Sequence, residues 1–155
     1  MSSKFKAFML EELKKDEIIT FPGVATFKDE NGKPIDFQIR KLGTEEIQKI
    51  RNSYKTKKIA TDKKGKPIIS GNSIVYAEDY DAEKAGAHIM AAAFAFPDMH
   101  DTDLMNFYDC VDFTEMPKKL FKNYEDFNYA NQCVLQALDM AEQKTEEEEI
   151  DDLKN

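Results

Sequence analysis

The chain has 155 residues, 41% of them hydrophobic, with a formal net charge of −8 and a pI near 4.9. That is long enough for one core and apolar enough to fill it, which excludes a wholly disordered chain. The excess of acid argues against a general polyanion binder, and two cysteines, Cys110 and Cys133, are too few for a disulfide framework.

Residues 4–15 are predicted as a short amphipathic helix with Phe5, Phe8, Met9 and Leu13 on one side. The apolar run there, 7–10, is too short for a signal-peptide core. The longest uncharged run, AGAHIMAAAFAFP at 85–97, reads as a buried helix, so no membrane partner is expected. Residues 18–28 alternate apolar and polar. IDFQIRKL at 35–42 alternates cleanly and predicts a half-buried strand with Ile35, Phe37 and Ile39 inward. Between them, Asn31-Gly32 is a hairpin signal, because both residues tolerate positive φ, and Pro34 opens the next strand.

Thr44 offers an N-cap, with Glu45 and Glu46 in the first turn and Ile47, Ile50 and Tyr54 at helical spacing. Residues 55–66 hold six lysines and one acid, Asp62, and read as a solvated hairpin. Gly65 and Pro67 mark a second turn before a strand at 73–77. DENGKPI at 29–35 and DKKGKPI at 62–68 then diverge, so they are one turn device used twice rather than a domain repeat. In that device Gly opens the turn, Lys keeps it solvated, Pro starts the strand and Ile enters the core.

Residues 82–96 are rich in alanine and predict a helix with Ala85, Ile89, Ala92 and Phe96 on one stripe, stopped by Pro97. Asp101 or Thr102 caps a helix carrying Leu104, Phe107, Tyr108 and Val111. Pro117 fits the first turn of a short helix ending near Phe121. Asn123 caps a last helix with Phe127, Ala130, Val134, Leu138 and Ala141 on one face, and both cysteines fall inside helical patterns. Residues 142–155 hold seven acids and two lysines and predict a frayed or disordered tail. The expected architecture is α+β: N-terminal β-hairpins with a short helix, then a helical half. It forms a single domain over 1–141, β-rich at 17–78 and helical at 81–141.

No motif in the chain carries catalysis. Around Asp29, Asn31 and Asp36 the spacing fails the calcium-loop pattern, with Gly32 fourth and Lys33 and Ile35 at ligand positions. PDMHDTD at 97–103 gathers Asp98, His100, Asp101 and Asp103, and reads as an interhelical loop whose acids cap the next helix. His88 reads as a packed histidine, and the cysteines as core. The lysine run has only Tyr54 near it as a stacking aromatic, so a nucleic-acid partner is not expected. Opposite charge raises instead a contact between the lysine hairpin of one copy and the acidic tail of another. Phe107, Tyr108, Phe113, Phe121, Tyr124, Phe127 and Tyr129 exceed what one helical stripe needs, which makes them candidates for a partner surface.

Three segments carry a family resemblance: ATFKDENGKPIDFQIRKLGTEEIQKIR at 25–51, AAAFAFPDMHDTDLMNFYDCVD at 91–112 and MPKKLFKNYEDFNYANQCVLQALDM at 116–140. In this order they resemble the XkdN-like (YqbN-like) tail assembly chaperones of phages and prophages. Three departures stand out: the family often has glycine after the tyrosine where this chain has Asp109, often has Gly-Glu-Tyr where this chain reads Asn123-Tyr124-Glu125, and usually ends the last helix near a glycine that is missing here. The resemblance implies no enzymatic activity, no cofactor and no metal. It implies work in the bacterial host cytoplasm on the tape measure protein, with the tail tube protein as a second candidate partner, and self-association. A structural tail component, tube or completion protein, is the alternative.

Overall fold

The computed structural model describes residues 3–140, and the predicted acidic tail lies outside them. The fold is α+β. Its contacts divide the chain into two compact units, each drawn from separate stretches of sequence.

The first unit takes its described residues from Met1–Lys41, Phe94–Pro97 and Phe121–Asn155. Strands β1 (Ile18–Phe21) and β2 (Phe37–Arg40) pair antiparallel, with Ile19 opposite Ile39 and Phe21 opposite Phe37. Phe37 and Ile39 are buried, as the alternation predicts, whereas Ile35 stays exposed because the strand begins two residues after it. The third strand was not foreseen. Residues Phe94–Phe96 leave the alanine-rich helix and pair as β3 with the other edge of β2. Pro97 disfavours helical backbone at Phe96, and two aromatics suit a pleated surface, so the free edge of β2 wins over helix propensity. A last helix, α1 (Tyr124–Ala137), packs on β2 and buries Ala130, Val134 and, just past its end, Leu138. Asn123 caps it, accepting from the Glu125 amide at 2.9 Å. Ala141, expected on the same stripe, lies outside the described residues.

The second unit comprises Leu42–Ala93 and Asp98–Leu120. Here α2 (Thr44–Ser53) and α3 (Ala82–Ala93) pack together. Thr44 is not the cap: Gly43 holds that position in extended backbone, and no side chain completes it. Ala85, Ala91 and Ala93 of α3 are fully buried, while Phe96 of the predicted stripe ends up exposed on β3. Then come α4 (Thr102–Phe107), a 3-10 turn at Phe113–Glu115, and α5 (Met116–Leu120) with Pro117 in its first turn. Asp101 caps α4, accepting from the Leu104 amide at 2.9 Å. Cys110 and Val111 lie beyond α4, and Val111 is fully open to solvent rather than on a helical stripe.

Two of the three departures from the family pattern fall on one kind of position, while the third falls on the Asn123 cap of α1. Asp109 and Asp139 have φ of 51° and 56°. At α4 the Cys110 amide donates to the Met105 carbonyl and the Asp109 amide to that of Asn106; at α1 the Met140 and Asp139 amides donate to Leu135 and Gln136. Each is a left-handed helix stop of the kind glycine makes without strain. We therefore expect Asp109→Gly to raise stability by about 0.5–1 kcal/mol, read as a higher urea midpoint.

The doubled turn is one geometry with one unforeseen part. The Asp29 carboxylate accepts from the amides of Asn31 and Lys33, both at 2.9 Å, and Asp62 does the same for Lys64 and Lys66 at 2.9 and 3.0 Å. Only Gly32 and Gly65 take positive φ, 79° and 82°, so Asn31 does not use its tolerance. Ile35 and Ile68 remain exposed instead of entering a core. Asp29→Ala removes two charge-assisted bonds, and a loss of about 1 kcal/mol in global stability is expected. Asp62→Ala removes the same bonds in a hairpin with no buried residue. It should leave the global midpoint unchanged and speed amide exchange at Lys64 and Lys66 about fivefold.

Candidate partner-binding surfaces

The seven aromatics singled out from sequence are divided between the two units. Phe107, Tyr108 and Phe113 belong to the second unit; Phe121, Tyr124, Phe127 and Tyr129 belong to the first. Phe107 is 78% exposed, crossing the Tyr108 ring at 5.0 Å, and Tyr124 is 77% exposed. Phe113 and Phe127 are half-buried. Phe121 is withdrawn from any surface: it is 2% exposed and meets the rings of Phe27, Phe37 and Phe94 at 6.0, 5.5 and 5.7 Å. Tyr129 is anchored by its hydroxyl, which donates to the Pro22 carbonyl at 2.6 Å. Burial and then a hydrogen bond with Cys133 push that hydroxyl up to about 12. Burial also raises the Cys133 thiol, so it is a core group rather than a nucleophile.

Two other stretches carry the exposed apolar surface. In the first unit, residues 3–14 form two 3-10 turns, Ser3–Phe8 and Glu11–Lys14, instead of one helix. Leu10 sits between them in extended backbone, and a helix this short is not stable without burying a face. Phe5, Phe8, Met9, Leu10 and Leu13 are all exposed, Phe8 at 78%. In the second unit, β4 (Lys55–Ile59) pairs antiparallel with β7 (Tyr76–Tyr80), and β5 (Ile69–Ser70) with β6 (Ser73–Ile74), giving a hairpin arm. The Asp81 amide donates to the Tyr54 carbonyl at its base. No residue from 55 to 80 is buried, and Ile59, Ile69, Ile74 and Tyr76 stand open. The lysines find partial partners across the strands: Lys55 with Glu78 at 3.8 Å and Lys58 with Asp79 at 3.6 Å. The amphipathic spacing of the N-terminal apolar residues does not say what covers them. The signal for the second surface was a lysine-rich strand, KTKKI, and a strand, YAEDY, whose large apolar residues are Ile59, Tyr76 and Tyr80 alone.

A cluster of polar and aromatic side chains lies in the second unit. Tyr54 shares a hydrogen with His88 Nδ1 at 2.8 Å, and Phe113 lies between the His88 and His100 rings at 4.9 and 4.2 Å. Asp98 and Asp112 are bound locally: Asp98 accepts from the His100 amide, and Asp112 from the amide and hydroxyl of Thr114. Those two bonds hold the Asp112 carboxyl below its ordinary range. Burial, then the neighbouring His100, lowers His88 from 6.5, with Asp112 opposing. Among the described residues no group of three or more His, Cys, Asp and Glu could hold a metal ion. A cleft of about 420 Å³ beside α3 is lined by both signs of charge, and the Lys118–Glu83 ion pair crosses it.

This cluster sets a pH dependence. A base whose folded pKa lies below its unfolded value contributes stability fully present above 6.5 and lost as pH falls through that value toward the folded one. Protonation also leaves His88 Nδ1 able only to donate to the Tyr54 hydroxyl. The thermal midpoint is therefore expected to fall between about pH 7 and about pH 5, and to fall less in His88→Gln. An equal fall in that variant would assign the effect elsewhere.

Comparison with known proteins gives a family and a fold. The family model described as phage XkdN-like tail assembly chaperone protein matches residues 5–154. A search of curated proteins returns no match. Among solved structures, the chain is similar to the crystal structure of the protein YqbN, with a TM-score of 0.67 and 14% identity over 88% of this chain and 96% of that one. At that identity the likeness is one of fold.

Proposed function

Because the chain belongs to the phage XkdN-like tail assembly chaperone family, we propose that it is a non-enzymatic chaperone that holds apolar stretches of the tape measure protein during tail assembly. It would do so in the cytoplasm of the bacterial host, as a self-associated protein, with the tail tube protein as a second contact. The observation that supports this most directly is the open apolar strip Phe5, Phe8, Met9, Leu10 and Leu13. Folded monomers rarely leave such a run uncovered, and a client helix offers apolar anchors at i, i+3, i+4 and i+7 that such a strip can cover. Self-association multiplies weak contacts along a long client. An acidic net charge of −8 keeps a protein with this much open apolar surface dispersed. Among the described residues no helix is long and apolar enough to cross a membrane.

Co-expression with the tape measure protein is the test. The two should co-purify, Phe8→Ser with Leu13→Ser should weaken the pair without lowering the unfolding midpoint, and finished tails should lack this chain. Stoichiometric presence in purified tails would favour a structural tail component instead.

A further inference from the structure

The hairpin arm carries charge opposite to that of the chain as a whole. From 55 to 80 it has six lysines and three acids, against the net −8. The register sorts its side chains. Lys55 lies opposite Tyr80, Lys57 opposite Glu78 and Ile59 opposite Tyr76, so these six share one face. All six are exposed, Tyr76 at 59%. Lys57 makes no ion pair among the described residues, nor do Lys63, Lys64 and Lys66 near the turn, whereas Lys55 reaches Glu78 and lies 6.0 Å from the Tyr80 ring. The face is thus basic and aromatic-aliphatic together, and no layer of the unit covers it.

One stretch of the same chain has the opposite composition. EEEEIDDL at 146–153 places six acids around two apolar residues, Ile150 and Leu153, with no base. Acids match Lys55, Lys57 and the turn lysines; Ile150 and Leu153 match Ile59, Tyr76 and Tyr80. A purely apolar client helix would leave those lysines unmatched, and a nucleic acid would give Ile59 no apolar partner.

We infer that this face of the arm is the docking site for the acidic segment 146–153 of a second copy of the chain. The contact joins two different surfaces, so it is heterologous, and copies add head to tail rather than pairing face to face. It rests on the self-association in the functional reading above and names the surfaces through which that association runs.

The test uses full-length variants with substitutions at exposed positions or in 146–149. One carries Lys55→Glu with Lys57→Glu; the other carries Glu→Gln at 146, 147, 148 and 149. Mass is followed by light scattering over protein concentration. The parent chain should associate, and the association should weaken steeply as salt rises from about 0.05 M to about 0.5 M. Each variant alone should associate at least about tenfold more weakly, with an unchanged unfolding midpoint. An equimolar mixture should recover a two-chain species, because one variant keeps its face and the other keeps its acidic segment. Variants that assemble like the parent overturn the docking while leaving self-association standing. A mixture that stays monomeric also overturns it, placing the segment on its own chain. Loss of client capture with self-association intact assigns the face to the client and overturns it too. A parent chain that is monomeric throughout removes the self-association reading and the docking with it.

Discussion

Phe121→Ala is expected to lower the stability of the protein by about 3–5 kcal/mol, among the largest effects of a single truncation. The ring is 2% exposed and stands among Phe27, Phe37 and Phe94, which come from a loop, a central strand and an edge strand of one unit. Removing it leaves a cavity beside three rings that already meet edge-on or tilted, and those contacts add about 0.5–1.5 kcal/mol per pair beyond burial. Since whole domains are stable by only about 5–15 kcal/mol, unfolding at ordinary temperature is within reach, so Phe121→Leu serves as a milder companion. Urea unfolding measures both. Phe107→Ala, at a ring 78% exposed, should change the midpoint by less than about 0.5 kcal/mol. If Phe121→Ala were as mild as Phe107→Ala, the aromatic cluster would not be the core of its unit.

That contrast marks where the sequence is readable and where it is not. Phe107 and Phe121 stand in the same aromatic-rich stretch, and their periodicity does not separate them. Burial is decided by partners far earlier in the chain, Phe27 and Phe37, which no local pattern names. Local chemistry was legible where it closes on itself. Asp101 and Asn123 cap their helices, Pro117 opens a helix, and the turns at Gly32 and Gly65 form where residue type demands. Asp29 and Asp62 were also there to be read, since both stand three residues before the turn glycine. The third strand was not legible. Phe94–Phe96 continue a helical stripe until β2 offers an unpaired edge, and that edge is a tertiary fact. The N-terminal apolar residues mislead in the opposite way, for their spacing is amphipathic but nothing within their unit covers them. For the proposed site the lesson is the same. Residue types announced an excess of apolar surface, and the fold decided that much of it stands at 5–13 and on the hairpin arm.

Gly23→Ala should be the most costly of the small-to-large changes, and it separates steric closeness from backbone strain. A Cβ built at Gly23 runs into the backbone carbonyl of Ile35, a group that cannot swing aside as a side-chain tip can. The chain before β2 must move, and it is tied down on both sides. Just ahead, Phe37 is packed against Phe94 and Phe121, while the neighbouring Pro22 carbonyl holds the Tyr129 hydroxyl at 2.6 Å. Overpacking of this kind costs about 3 kcal/mol or more when backbone is the obstacle. Two other glycines calibrate it. Gly32→Ala meets nothing within 4 Å but is forced to keep φ at 79°, so its cost is conformational, about 1 kcal/mol. Gly86→Ala, inside α3 with equally open space and ordinary φ, should raise stability by about 0.5–1 kcal/mol through helix propensity. One substitution type therefore gives a gain, a modest loss and a large loss, read as urea midpoints in a single series. If Gly23→Ala lost no more than Gly32→Ala, the approach of Gly23 to Ile35 would be slack, and the chain entering β2 would not be held as tightly as Tyr129 and Phe37 imply.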